Sequence, residues 1–159
     1  MRHREITPAD DAALAEIVRR SLEEHHLDIP GTAYFDKELD HLSRFYLAMP
    51  ARRAYFVLLD DGERVVGGAG LAEFPPRAGA AELQKLYLVK AVQGQGLGYA
   101  LLTLVEEKAR ALGYRELYLE THTNLPVAIH MYERTGFRRI PPPPSAVHGT
   151  MDTFFVKDL

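Results

Sequence analysis

Apolar residues recur at the spacing of a helix in four segments of the chain. We predict helices over roughly residues 10–24, 98–112 and 126–134, and another that takes Asp36 as its cap and runs to about residue 46. Gly113 and Gly136 directly follow two of these segments, as expected where a helix ends. The pattern therefore predicts four helices.

Strand patterns fill most of the remaining chain. The predicted strands cover roughly residues 3–6, 54–59, 64–74, 82–89, 114–121, 137–140 and 150–156. Short turns between the early strands, such as Asp60-Asp61-Gly62-Glu63, imply antiparallel neighbours, whereas the helix over 98–112 makes a crossover between two parallel strands. The expected fold is one α/β (α+β) domain over residues 1–159, with a mixed, mostly antiparallel sheet of about seven strands and about four helices.

The composition narrows the classes of partner. The chain has 19 basic and 22 acidic residues, a net charge of -3 and no long basic run, which argues against nucleic acid as the main partner. It has no cysteine, which excludes disulfides, cysteine zinc sites and a cysteine nucleophile. No apolar run approaches the length of a membrane span, and the N-terminus is too charged for a signal peptide. We therefore expect a soluble, cytoplasmic protein without a membrane partner.

Three glycines alternate with other residues between a predicted strand and a predicted helix, in the segment Gln93-Gly94-Gln95-Gly96-Leu97-Gly98-Tyr99. The first amides of a helix lack intrahelical partners, and the helix dipole adds partial positive charge there. Glycines allow that backbone to approach a phosphate closely. The spacing is neither G-x-x-x-x-G-K-[ST] nor G-x-G-x-x-G, because Tyr99 or Leu101 occupies the third glycine position of the second motif. The segment predicts a phosphate site of another type.

Two segments resemble one enzyme family. Gln93-Gly94-Gln95-Gly96-Leu97-Gly98 resembles the (Gln/Arg)-x-x-Gly-x-(Gly/Ala) signature of the GNAT superfamily, the acetyl-CoA-dependent N-acetyltransferases. Residues 128–137, AIHMYERTGF, resemble the family's A-x-x-x-Y-E-x-x-G-F block. The predicted element order, β-α-α-β-β-β-α-β-α-β-β, is also similar to the GNAT fold. The resemblance implies transfer of an acetyl group from acetyl-CoA, as co-substrate, to a primary amine.

The resemblance also assigns residues to the coenzyme. Leu86 and Leu88 would hydrogen-bond its pantetheine arm through their backbone. Asn124 would contact it as well, although it lies eight residues before Tyr132 where seven is commoner in the family. The amides of one loop would bind the pyrophosphate, with the two glutamine side chains as further donors. That loop comprises Gln93, Gly94, Gln95, Gly96, Leu97, Gly98 and Tyr99.

Glu82 and Tyr132 are the candidate catalytic residues. Glu82 lies eleven residues before Gln93, a spacing similar to that of the family's glutamate base. An apolar setting or a nearby carboxylate would raise its pKa toward neutrality. Glu73 and Glu120, on the neighbouring predicted strands, are alternative bases that would act through water. Tyr132 stands at the position of the family's tyrosine, whose hydroxyl can protonate the departing thiolate. Because no cysteine is present to carry an acyl group, we expect direct transfer in a ternary complex.

The acceptor is expected to bind at the first two helices with their connecting loop, and at residues 141–149. Acidic residues in the first region would attract a cationic amine. They are Glu23, Glu24, Asp28, Asp36, Glu38 and Asp40. Further pocket candidates are His25, His26, Tyr34 and His148. The seven histidines show no spacing typical of a metal site, so we expect no metal.

Three functions stay open on the sequence. The first is acetylation of a small-molecule amine, and the second is acetylation of a protein or peptide by the same fold. The third is a non-catalytic acyl-CoA-binding module, against which Glu82 and Tyr132 together favour an enzyme.

The segment Asp152 to Val156 is expected to be an edge strand that pairs in a homodimer.

Overall fold

The computed structural model describes residues 1–146 and 149–159 of the chain. Its strands are β1 Arg2–Glu5, β2 Ala54–Leu59, β3 Val65–Glu73, β4 Ala80–Leu88, β5 Glu116–Thr121, β6 Arg138–Ile140 and β7 Thr153–Asp158. Its helices are α1 Asp11–Glu24, α2 Leu42–Leu47, α3 Leu97–Ala111 and α4 Pro126–Arg134. Within these residues no helix is both long and apolar enough to cross a membrane.

The strands form one sheet in the order β1-β2-β3-β4-β5-β7-β6. Every neighbouring pair is antiparallel except β4 and β5, which α3 connects as a crossover. This parallel pairing covers only residues 80–82 of β4 and 116–118 of β5. Further along, the two strands separate and open the sheet. The predicted mixed, mostly antiparallel fold is therefore confirmed.

The start of the second helix was predicted wrongly. Asp36 has an extended backbone and ends a 3-10 turn, and α2 begins only at Leu42, after a second 3-10 turn over Leu39–His41. The Asp36 carboxylate does not cap a helix but lies 2.9 Å from the Lys85 Nζ of β4. A short polar residue before an apolar pattern is typical of a cap, and a tertiary ion pair uses the same side chain here.

The predicted edge strand is also wrong. The chain forms β6, turns back through the proline-rich segment, and then inserts β7 between β5 and β6. Both sides of β7 are therefore paired, and the short β6 is the edge strand at this end of the sheet. Residues 154–156 of the predicted edge strand therefore have strand partners on both sides, and a homodimer stays a prediction.

Each face of the sheet carries its own core. The helices α3 and α4 cover one face with α3 residues such as Leu101 and Val105, which are fully buried, and α1 covers the other with Leu14 and Val18. Burying one such leucine stabilises the fold by about 2 kcal/mol. Side chains alternate between the two faces along each strand. As a result, Glu82 and Glu120 project on the face opposite α3.

Two glycines of β3 make room for the rings of two tyrosines. A Cβ on Gly68 would lie 2.4 Å from the Tyr55 ring, and one on Gly70 would lie 2.5 Å from Tyr55 and 3.1 Å from Tyr46. Real Cβ atoms do not come as close as these first two distances, so only glycine fits against the rings. The glycines thereby let Tyr46 of α2 lie across β3 and reach β4.

Candidate active site

A cleft of about 300 Å³ lies where β4 and β5 separate. Its wall combines the end of β4, the end of β5, the start of α3 and one side of α4, with Ser21 and His25 of α1. The cleft brings together most of the residues predicted from the sequence. Those in its wall are Leu86, Leu88, Gln93, Gly94, Gly96, Leu97, Gly98, Tyr99 and Tyr132. Glu82, Gln95 and Asn124 are not part of this wall.

The three glycines at the start of α3 have two different roles. Gly94 and Gly96 have φ angles of 77° and 76°, in the left-handed region that favours glycine. Gly98 has an ordinary helical backbone, but a Cβ there would lie 3.2 Å from the Met131 Sδ of α4. Gln93 secures the turn, because its side-chain Nε2 donates to the Leu88 carbonyl at 3.0 Å. The first amides of α3 are thereby held at the cleft.

A bulge in β4 accompanies the opening of the sheet. Between Gly68 and Gly70 of β3, the partner strand carries one extra residue, and Lys85 takes a φ of 50°. The Tyr55 hydroxyl donates to the Lys85 carbonyl at 2.8 Å and holds this conformation. Bulges bend the strand that carries them. The bend lies just past Glu82, at the point where β4 leaves β5.

Glu82 is a half-buried carboxyl at the last position of β4 that pairs with β5. Burial raises its pKa to about 7, and the nearby Glu120 acts in the same direction. Gln84 opposes the increase, since its Nε2 donates to the Glu82 Oε1 at 2.7 Å. A carboxylate with a pKa near neutrality is well matched to accepting a proton at physiological pH.

The two alternative bases have different surroundings. Glu73 is paired with Arg53, whose Nε lies 2.9 Å from Oε2, and this partner lowers the Glu73 pKa. Glu120 lies in the cleft wall. Within residues 1–146 and 149–159 its carboxylate accepts one hydrogen bond, from the Tyr118 hydroxyl at 2.8 Å, and pairs with no basic side chain. Glu73 is therefore poorly suited to be a base, whereas Glu120 has no basic partner among the described residues and lines the cleft.

Tyr132 of α4 is almost fully buried, with 6% of its surface exposed, yet it reaches the cleft wall. Its ring packs at 5.6 Å from Phe137 and 5.9 Å from Phe155, measured between ring centroids. Burial raises its pKa above the ordinary tyrosine value, so the hydroxyl keeps its proton at neutral pH. In the described part of the chain nothing hydrogen-bonds this hydroxyl. It is free to donate to a bound molecule.

Asn124 joins two loops. Its side-chain amide donates to the His25 carbonyl at 3.0 Å, and its backbone amide donates to the His122 Nδ1 at 3.0 Å. The first bond connects the segment before α4 to the end of α1, on the rim of the opening. A coenzyme contact by Asn124 stays a prediction.

A second pocket of about 280 Å³ adjoins the cleft. Glu120 and Met151 line both spaces. The other walls are the loop between α1 and α2, including Asp36, and the chain on either side of residues 147–148. The predicted acceptor region is thus adjacent to the cleft.

Only some of the predicted acceptor residues are available there. The Glu23 carboxylate accepts the Tyr34 hydroxyl at 2.7 Å, and Asp40 pairs with Arg19 at 2.8 Å. His26 and Tyr34 line neither space. His148 lies outside the described residues. Within residues that are described, no three histidine or carboxylate side chains are placed to hold a metal.

Three residues around Glu82 were not predicted from the sequence. They are Gln84, which accepts a hydrogen bond from the Tyr46 hydroxyl, Tyr46 itself, and Lys85, whose ammonium pairs with the Asp36 carboxylate. Because side chains alternate along a strand, the sequence alone places Gln84 on the same face as Glu82, so a role for Gln84 could have been predicted. Tyr46 gave no comparable signal, because its contact depends on how α2 crosses the sheet.

The sheet thus opens beside α3, a helix whose N-cap is Gly96. Sequence comparison identifies the class of protein, since residues 13–137 match the Acetyltransferase (GNAT) family. The chain therefore belongs to the acetyl-CoA-dependent GNAT family of N-acetyltransferases. The uncharacterized N-acetyltransferase YjgM of Escherichia coli (strain K12) is 37% identical over 139 residues, covering 86% of this chain and 81% of YjgM.

Solved structures share the fold. An acetyltransferase of the GNAT family from Staphylococcus aureus Mu50 superposes with a TM-score of 0.84 at 20% identity, over 99% of this chain and 98% of that one. The paiA N-acetyltransferase of Thermoplasma acidophilum, solved in complex with coenzyme A, has a TM-score of 0.78 at 19% identity, over 99% and 98% of the two chains. At these identities the likeness establishes the fold and leaves the acceptor open.

Proposed function

We propose that residues 1–159 form one enzyme domain that transfers the acetyl group of acetyl-CoA to the primary amine of a small molecule. The observation that carries this proposal is the half-buried Glu82 carboxyl, whose pKa near 7 suits a base, beside the opening of the sheet. The volume of the second pocket, about 280 Å³, supports a small acceptor. A cytoplasmic location remains a prediction from the composition.

The loop before α3 is proposed to bind the pyrophosphate of the coenzyme. Its left-handed glycines and the unpartnered first amides of α3 form a backbone site that attracts anions. The backbone of Leu86 and Leu88 would hold the pantetheine arm, since β4 has no paired neighbour on the β5 side there. Asn124 and Gln95, which lie outside the cleft wall, would contribute at its rim.

The chemistry follows from the residues around the opening. The amine nitrogen attacks the thioester carbonyl carbon, the C–N bond forms and the C–S bond breaks. Glu82 takes the proton that the amine loses, through a water molecule, because its side chain is set back from the cleft wall. Tyr132 gives a proton to the departing thiolate. With no cysteine to carry an acyl group, we propose direct transfer in a ternary complex.

Gly96→Ala is expected to weaken coenzyme A binding by roughly 5- to 30-fold, because an alanine at positive φ is strained by about 1–2 kcal/mol. The free loop can relax, and binding must then restore the strained conformation. Gly113→Ala is the matched control, since Gly113 has a φ of 89° and, like Gly96, nothing within 4 Å of its Cβ position. Isothermal titration with coenzyme A should show weaker binding for Gly96→Ala only. Equal affinity in both variants would remove the loop assignment.

The proposed function is tested by a panel of acceptors with acetyl-CoA, followed by thiol release. The panel contains small primary amines, diamines, amino acids, and peptides with free N-termini or lysines. Turnover with small amines above all others supports the proposal, whereas preference for peptides replaces it with protein acetylation. Acetyl-CoA binding without release by any acceptor indicates a binding module. Recovery of an acetyl-enzyme in the absence of acceptor would contradict direct transfer.

A further inference from the structure

Three side chains form a hydrogen-bonded chain that ends on Glu82. Gln84 lies two residues further along β4, so the two side chains leave the same face of the sheet. The Gln84 Nε2 donates to the Glu82 Oε1 at 2.7 Å, and the Gln84 Oε1 accepts the Tyr46 hydroxyl at 2.7 Å. Both bonds have short, favourable lengths.

Tyr46 holds one end of this series of hydrogen bonds in a fixed position. It is 1% exposed, and its ring packs against Phe45 and Tyr55, each at a centroid distance of 5.0 Å. Gly70 lies directly opposite Gln84 in the sheet, and its lack of a side chain leaves room for the Tyr46 ring. Among the described residues, the Tyr46 hydroxyl has Gln84 as its hydrogen-bond acceptor and no other.

The hydroxyl therefore determines how the Gln84 amide is turned. A buried tyrosine hydroxyl needs an acceptor, and a glutamine offers one only with its oxygen. With the oxygen facing Tyr46, the amide nitrogen faces Glu82 and can only donate. A donor at this position favours the ionised carboxylate.

We propose that Gln84 is a positioning residue for Glu82, oriented by the Tyr46 hydroxyl so that it holds Oε1 and leaves Oε2 to exchange the proton. The inference rests on the proposed role of Glu82 as the base. No hydrogen bond from the described residues reaches Oε2, which is consistent with a free oxygen for water. The series of hydrogen bonds runs from the core around α2 to the Glu82 carboxyl, so it does not depend on the conformation of any loop.

The charged and titratable groups around Glu82 determine in which direction its pKa moves when the Gln84 donor is removed. Burial raises the Glu82 pKa most, Glu120 and Asp36 raise it further, and Gln84 and Lys85 lower it. The Tyr46 and Tyr118 hydroxyls also face this carboxyl and are themselves uncharged at neutral pH. Removing the Gln84 donor therefore raises the pKa of Glu82 above about 7, and a larger fraction of the base is protonated at neutral pH.

The test measures the titration of Glu82 directly, by carbon-13 NMR of side-chain carboxyls in protein labelled at glutamate. The signal that is absent from Glu82→Gln identifies the residue. In Gln84→Met the midpoint should move up by about one pH unit, as expected for loss of a charge-assisted hydrogen bond. In Tyr46→Phe, which keeps the ring and removes only the hydroxyl, the midpoint should move in the same direction by a smaller amount.

Tyr114→Phe is the matched control, because the Tyr114 hydroxyl donates to the Arg52 carbonyl at 2.9 Å and contacts neither Glu82 nor Gln84. Its midpoint should equal that of the unmodified protein. If Gln84→Met and Tyr46→Phe lower the melting temperature but leave the midpoint in place, Gln84 is only structural and the inference is overturned. A midpoint near that of an ordinary glutamate in the unmodified protein would instead remove Glu82 as the base, whatever the variants do.

Discussion

Replacing Glu82 with glutamine is expected to lower kcat/KM for amine acetylation by about 100- to 10,000-fold, the usual contribution of a general base. The substitution preserves shape and the hydrogen bond from Gln84, but it removes the group that accepts the proton. In the unmodified enzyme, kcat/KM should rise with pH through about 7, because the raised pKa of Glu82 leaves the base protonated below that pH. The variant should lose this limb of the profile.

Substitution of two neighbouring carboxylates, Glu73 and Glu120, distinguishes a base at Glu82 from a general effect of charge on the rate. Glu73→Gln removes a neighbouring carboxylate that Arg53 already neutralises, so the limb should stay near pH 7. Glu120→Gln removes a charge that raises the Glu82 pKa, so the limb should move to lower pH while activity at high pH persists. If Glu120→Gln abolishes turnover and Glu82→Gln keeps the limb, the base is Glu120.

Local sequence signals were sufficient for most of the fold. The switch from strand to helix period after Gly98 predicts α3, and the crossover that it makes predicts the parallel pair β4–β5. The position of β7 could not be read in this way, because the β6–β7 connection leaves open on which side of β6 the chain returns. The start of α2 was predicted wrongly for a similar reason, because the predicted cap Asp36 pairs instead with Lys85, which is far away in sequence.

The site was predictable where it depends on motif spacing and not where it depends on packing. The resemblance to the GNAT motifs identified the glycine loop and Tyr132, and Tyr132 and every loop residue except Gln95 lie in the wall of the cleft. The resemblance also identified Glu82, but no local pattern predicted that its side chain lies outside the cleft wall. Tyr46 reaches the site only because Gly70 has no side chain, and that fit requires three-dimensional packing.

Tyr132→Phe is expected to lower kcat by about 100-fold while leaving the affinity for acetyl-CoA unchanged. The phenylalanine ring preserves the contacts with Phe137 and Phe155, so α4 and the cleft wall should keep their shape. Only the hydroxyl is lost, and it forms no hydrogen bond to the described residues that would be broken. The departing thiolate must then leave without a proton from the enzyme. Steady-state kinetics and isothermal titration with acetyl-CoA separate the effect on kcat from the effect on binding.

The thiol itself provides the decisive control for this assignment. If Tyr132 protonates the leaving group, acetyl thioesters of more acidic thiols should restore the rate of Tyr132→Phe, because such thiolates leave without protonation. The unmodified enzyme should respond much less to the same series. If kcat and acetyl-CoA affinity fall together and the more acidic thiols restore nothing, the hydroxyl is not the acid. Tyr132 would then serve to pack α4 against the sheet.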